Sequence, residues 1–93
     1  MSKINDLVEK RSKDNPAFAE GYKRERERLE VAVALMKLRE EKGLSQRQLA
    51  EKSGKPQSTI ARIENGSMNA SLGVLRDIAE SVGKRIDLRF VNA

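Results

Sequence analysis

The 93-residue sequence contains no cysteine, no histidine and no tryptophan, and each absence removes a class of chemistry. Without Cys there is no disulfide framework and no thiolate centre, which reads as a cytoplasmic chain. Without His and Cys the best zinc ligands and the commonest general base are missing, leaving Asp, Glu, Lys, Tyr and Ser for any catalysis. There is also no glycine-rich phosphate loop. The sequence therefore predicts a protein that is not an enzyme, with no catalytic residue, no metal site and no cofactor. No run approaches the roughly 18 apolar residues of a membrane span, and the N-terminus has no apolar signal-like stretch, so no membrane partner is expected. Aromatics number three: Phe18, Tyr22 and Phe90. A chain this short is one domain with a thin Leu/Ile/Val/Ala core and no large ligand cavity.

What is present in quantity is charge. Charged residues make up 35% of the chain, with a net charge of +5 that suits a polyanionic partner. The distribution narrows this. Residues 1–30 carry eight Lys/Arg against seven Asp/Glu, residues 31–66 seven against four, and residues 67–93 four against three. The excess is concentrated in the middle.

Punctuation divides the chain into segments. Ile4, Leu7 and Val8 can share a short helical face. Asn15 can cap a helix with Pro16 in its first turn. Phe18, Tyr22, Leu29, Val33 and Met36 then recur at helical spacing. Glu20–Arg24, Lys23–Glu27 and Arg26–Glu30 are i,i+4 pairs that support a solvated helix. The pattern fits one helix from Pro16 to about Glu41, or two meeting near Arg28. Gly43 is the next stop, Ser45 caps a short helix from Gln46 to about Lys52, and Pro56 opens another that ends at Asn65-Gly66. A helix over about Ser71–Val82 carries Leu72, Leu75, Ile78, Ala79 and Val82 on one face. After Gly83 the period changes: Ile86, Leu88 and Phe90 alternate with Arg85, Asp87 and Arg89, the mark of a half-buried strand.

Residues 46–65 read QRQLAEKSGKPQSTIARIEN. Two short helices crossing steeply need a small residue at the crossing, here Ala50, and a turn position free to take positive φ, here Gly54. The second helix must bury branched residues against the first, and Ile60 and Ile63 do so, with Leu49 facing the same core. Ala, Gly and Ile fall at steps 5, 9 and 15 of a twenty-residue unit, with a further Ile at step 18. Together with Leu35, Leu38, Leu44, Leu72, Leu75, Ile78 and Val82, these form the expected core.

The string GLSQRQLAEKSGKPQSTIARIENG at 43–66, followed by SLGVLRDIAESVGK at 71–84, resembles the Cro/lambda-repressor type of helix-turn-helix domain. The resemblance covers about residues 31–83. It implies that Pro56–Glu64 is a recognition helix lying in the major groove. Gln57, Ser58 and Thr59 then face base edges, with Arg62 one turn along; Gln reads adenine bidentately and Arg reads guanine or grips phosphate. It further implies a phosphate contact at Gln46, where Ser45 and the helix N-terminus are also well placed, and backbone contacts at Arg47, Lys55 and Asn65. Ser45 and Gln46 can equally do no more than cap the helix. Pro56 and Ser58 stand where phage repressors often have longer polar residues, which throws more of the base reading onto Gln57, Thr59 and Arg62.

The flanks exceed what a minimal repressor domain needs. The stretch Phe18-Ala19-Glu20-Gly21-Tyr22, the charged run, the domain and then Gly83-Lys84-Arg85-Ile86-Asp87-Leu88-Arg89-Phe90 look like HigA-type antitoxins of bacterial toxin–antitoxin modules. That family implies a RelE-like ribonuclease toxin as partner, neutralised by direct binding, and repression of the module's own operon. Aromatic anchors on a charged helix make Phe18 and Tyr22 the candidate toxin contacts, the alternative being that they pack on this chain's own core. A lone strand has unpaired edges, so Ile86, Leu88 and Phe90 are expected to pair across a homodimer that binds a palindromic operator. The expected fold is all-α, about five helices with one C-terminal β-strand. Residues 1–28 form a toxin-binding extension, 29–83 the DNA-binding domain and 84–93 a dimerisation strand. The expected location is the nucleoid in bacterial cytoplasm. The alternative is a stand-alone repressor of phage or metabolic type, with no toxin partner.

Overall fold

The computed structural model describes residues 16–93, except the side chains of residues 16–20 and of Tyr22. The readings made on Ile4, Leu7, Val8 and Asn15 lie outside the described residues. Among those described there are four helices: α1 over Pro16–Glu41, α2 over Gln46–Ser53, α3 over Gln57–Glu64 and α4 over Leu72–Ser81. None is long and apolar enough to cross a membrane.

The helix at Pro16–Glu41 is one continuous element rather than two. Nothing between Tyr22 and Glu41 breaks it, and its charged middle is laced by local ion pairs. Arg26 meets Glu30 at 3.1 Å and Arg28 meets Glu25.

Capping sets the starts of the next three helices. Ser45 Oγ accepts the N–H of Gln48 at 3.1 Å, and the Gln48 side chain accepts the Ser45 N–H at 2.8 Å. This reciprocal box satisfies two donors that a helix start leaves open. Ser71 Oγ accepts the Val74 N–H at 3.2 Å and starts α4. At α3 the capping position is Pro56, in extended backbone with φ −59° and ψ 144°, and no side chain caps that helix. Between α2 and α3, Gly54 sits at φ 70°, the left-handed region that any Cβ would penalise. This single residue lets the chain turn between two eight-residue helices that pack on each other.

α3 packs on both α1 and α2, and α2 also packs on α4. Their shared core is Leu35, Leu49, Ala50, Ile60, Ile63, Ile78 and Val82, flanked by half-buried Leu38, Leu44 and Val74. Leu49, Ile60 and Ile63 are fully enclosed. Ala32 and Ala79 are buried as well.

Two expectations are corrected. Leu72, expected in the core, is 53% exposed; it is the first residue of α4 and lines a groove beside Ile86 and Leu88. Leu29 and Val33, which recur at helical spacing and were not among the expected core residues, are half exposed; α1 turns Ala32 and the expected Leu35 to the core. A helix with two apolar stripes can bury only one against a single neighbour. Finally, no strand forms at Ile86–Val91 within one chain. Lys84 N–H donates to Ala79 O at 2.9 Å, closing α4, and no backbone hydrogen bond follows it. A strand exists only as one side of a ladder, and a single chain offers no second side. Ile86 and Leu88 instead line a groove of about 260 Å³ beside Leu72, Arg76, Glu80 and Arg85.

Candidate nucleic-acid interface

The first turn of α3 is presented by a rigid base. Ile60 and Ile63 anchor one side of the helix in the core, so the side chains between and before them face outward. Gln57, Ser58 and Arg62 are exposed and Thr59 is half-buried. No hydrogen bond or ion pair ties these four to another described side chain. The N–H groups of Thr59 and Ile60 return to Pro56 O, at 3.0 and 3.4 Å. Those of Gln57 and Ser58 come too early in the helix for an intrahelical acceptor, and Pro56 offers no cap. The result is a positive helix end with two open donors and a short row of uncommitted polar side chains. Such a surface accepts an anion and hydrogen-bonds the edges of planar groups.

Behind it lies an ionic clamp. The Arg39 guanidinium grips Glu64 with two parallel bonds, Nε to Oε2 and Nη2 to Oε1, both at 2.9 Å. Its Nη1 donates to Leu44 O at 3.1 Å, and Gln46 Nε2 donates to Glu64 Oε1 at 3.3 Å. Only 4% of the Glu64 side chain is exposed. The fork geometry suits a buried carboxylate, and the hydrogen bond to Glu64 raises the Arg39 pKa above its ordinary value, so this guanidinium stays charged. One cluster thereby joins the end of α1, the α1–α2 loop, the start of α2 and the end of α3. Sequence reasoning missed it. Arg39 and Glu64 are 25 positions apart on different helices, and no short-range pattern links them.

The other predicted residues are distributed around this core. Ser45 is occupied as a cap. Gln46 is half-buried with its amide on Glu64, at the edge of the same face. Arg47 is exposed and pairs with Glu51 at 3.4 Å, an exposed contact easily exchanged. Lys55 Nζ lies 2.9 Å from Asp77 on α4, pinning the helix-turn-helix corner to the last helix. The hydrogen bond and charge of Lys55 lower the Asp77 pKa below its ordinary value. Asn65 Oδ1 accepts the Ser67 N–H at 2.9 Å and shapes the turn after α3. The side chains of Phe18 and Tyr22 lie outside the described residues. Ile86, Leu88 and Phe90 sit on the tail after α4, apart from the α3 surface, with Leu88 64% and Phe90 99% exposed.

A family model described as helix-turn-helix matches residues 35–88, more than half of the chain. An uncharacterized helix-turn-helix-type transcriptional regulator of Sinorhizobium fredii is 40% identical over 58 residues, which is 62% of this chain. The chain spans 30% of that relative's length. No solved structure matches it.

Proposed function

Because the chain belongs to the helix-turn-helix family of the Cro/lambda-repressor type, we propose that it regulates transcription by binding a palindromic duplex operator as a homodimer. We further propose that it is a HigA-type antitoxin, neutralising a RelE-like ribonuclease and repressing the operon that encodes both. The observation that carries the DNA reading is the uncapped start of α3, whose exposed Gln57, Ser58, Thr59 and Arg62 stand on a helix locked from behind. In the groove, Gln57 and Arg62 read base edges, and Thr59 and Ser58 contribute shorter contacts. The open N–H groups at the starts of α2 and α3, with Ser45, Gln46, Arg47, Lys55 and Asn65, hold phosphates and fix the register.

The toxin reading is supported by the second stripe of α1. Leu29 and Val33 are half exposed on a helix whose other face is in the core. By helical register Phe18, Tyr22 and Met36 fall on the same line. An apolar row on a charged helix is the composition of a partner surface. Residues 1–28 with this stripe form the toxin-facing part, 29–83 the DNA-binding domain and 84–93 the dimerisation segment. The stand-alone repressor remains the second reading, favoured by the relative's description as a transcriptional regulator.

Purification of the tagged protein from its native host tests both readings. A ribonuclease of RelE type travelling with it, together with salt-sensitive binding of the upstream duplex, is the expected result. Operator binding with no accompanying ribonuclease leaves the stand-alone repressor. Indifference to duplex DNA at low salt overturns the DNA reading.

A further inference from the structure

Among the described residues, the tail after α4 has a backbone that makes no hydrogen bond beyond Lys84. Lys84 is held to Glu41 at 3.2 Å, which fixes where the tail leaves the domain. From there Ile86 and Leu88 turn toward the groove on α4, while Phe90 and Val91 are almost wholly exposed. Asp87 and Arg89 are exposed outside that groove and joined to each other at 2.9 Å. The sequence alternation of a strand is present, but the N–H and C=O groups of the tail have no ladder.

We infer that the tail pairs antiparallel with a second copy of itself in one register, with Leu88 on the two-fold axis. This rests on the homodimer proposed above and goes further, by naming which residues face each other. Residues directly opposite in an antiparallel pair share a face. Ile86, Leu88 and Phe90 share one face, so only registers that oppose even-numbered to even-numbered residues keep the apolar face whole. With the axis at Asp87, that carboxylate opposes its own copy and Arg85 opposes Arg89. With the axis at Arg89, two guanidinium groups meet. An axis at Ile86 sets Leu88 against Lys84 and drives Phe90 into the end of α4 at Val82, and an axis at Phe90 sets Leu88 against Asn92. The axis at Leu88 alone satisfies both faces. Asp87 then opposes the second copy's Arg89, and the reverse, giving a closed ring of four alternating charges. On the other face Ile86 opposes Phe90 twice and Leu88 meets its copy.

The same register accounts for Phe90. In its own chain this ring lies past the groove that Ile86 and Leu88 line. Opposite the second copy's Ile86 it reaches the groove of that copy, beside Leu72. The exposed Leu72, Leu88 and Phe90 of each chain become one continuous apolar seam.

Because the chain has no native cysteine, disulfide trapping reads the register directly. Leu88→Cys places two thiols across the axis, within the roughly 4.4–6.8 Å Cα separation that a disulfide spans. Oxidation of the full-length variant should give a covalent dimer, while Asp87→Cys and Arg89→Cys, each diagonal to its own copy, stay uncrosslinked. Charge reversal gives an independent readout. Asp87→Arg should weaken the dimer about tenfold, since both symmetric contacts become repulsive, and the double change Asp87→Arg with Arg89→Asp should restore it. Sedimentation of the same samples separates the two levels of the argument. A dimer in which Asp87→Cys or Arg89→Cys crosslinks in place of Leu88→Cys, or none does, overturns the register and leaves the homodimer standing. A monomeric native protein overturns both.

Discussion

Gln57 and Lys55 are two residues apart and differ in what holds them. The Gln57 side chain is exposed and uncommitted at the open end of α3, whereas Lys55 is tied to Asp77 at 2.9 Å. A base contact discriminates and a phosphate contact does not. Gln57→Ala or Arg62→Ala should therefore cost about 1–3 kcal/mol of operator binding and relax preference at one position of each half-site. Lys55→Ala should weaken operator and random duplex alike and make the salt dependence shallower, because one fewer counterion is released. Quantitative binding to an operator and its single-base variants across salt concentrations checks both. Unchanged discrimination in Gln57→Ala would mean that this turn of α3 is not where bases are read. The Lys55–Asp77 pair also has a pH signature. Lys55 lowers the folded-state pKa of Asp77 below the unfolded value of 3.8, so the ionised form favours folding. That contribution is present above 3.8 and is lost as pH falls through the lowered folded value. The acid limb of stability should be shallower in Asp77→Asn, as read by urea midpoints stepped through the acid range, and identical limbs would show the pair to be without effect on folding.

Among the elements, α3 determines what the domain can do, and two kinds of interaction hold it. The apolar one is Ile60 and Ile63 against Leu49 and Leu35; Ile60→Ala should cost about 2–4 kcal/mol, the range for emptying an enclosed site. The ionic one is Arg39 on Glu64. Arg39→Met leaves a carboxylate enclosed with only the Gln46 amide, and should cost about 3 kcal/mol, whereas removing both charges with Arg39→Met and Glu64→Leu should recover much of that loss. Denaturant unfolding of the three variants checks the order, and additive losses would show that the two groups do not act together. These two interactions also mark how far the sequence could be read. Ala50, Gly54, Ile60 and Ile63 obey a spacing that steric rules impose within twenty residues, so the corner and its core were legible. Glu64 carried no such mark: a charged residue near a helix end reads as solvated until the fold brings Arg39 to it. On α1 the core positions Leu35 and Leu38 were legible, whereas Leu29 and Val33 keep the same helical period, and only contact with α3 shows which apolar positions are enclosed. The strand pattern at 85–91 was legible as alternation, but a ladder depends on a second edge that no single sequence contains.

On the scale of the whole molecule, the exposed α3 end, the second stripe of α1 and the tail occupy different elements and share few residues. If two copies pair through the tail as proposed, their two α3 helices must stand roughly 34 Å apart to enter successive major grooves. On that proposal the spacing of half-sites in the operator would be a geometric consequence of how the tails pair. It also follows that the activities should come apart under mutation. Phe18→Ala with Tyr22→Ala changes residues that precede the helix-turn-helix in sequence and make none of the proposed DNA contacts, so operator affinity of the free protein should stay within about twofold. If the α1 stripe is the toxin contact, the same double variant should lose protection, because two aromatic anchors commonly carry several kcal/mol of an interface between them. Gln57→Ala should behave in the opposite way, derepressing the operon while still protecting cells, since Gln57 is exposed on α3 and packs against nothing that α1 presents to a partner. Growth during toxin expression, scored beside operator binding at matched protein levels, separates the outcomes. Full protection by the double aromatic variant removes Phe18 and Tyr22 from the contact and shifts it to Leu29, Val33 or α4. Joint loss of protection and operator binding would instead make the two aromatics supports of the fold, and a circular dichroism melt displaced to lower temperature would accompany it.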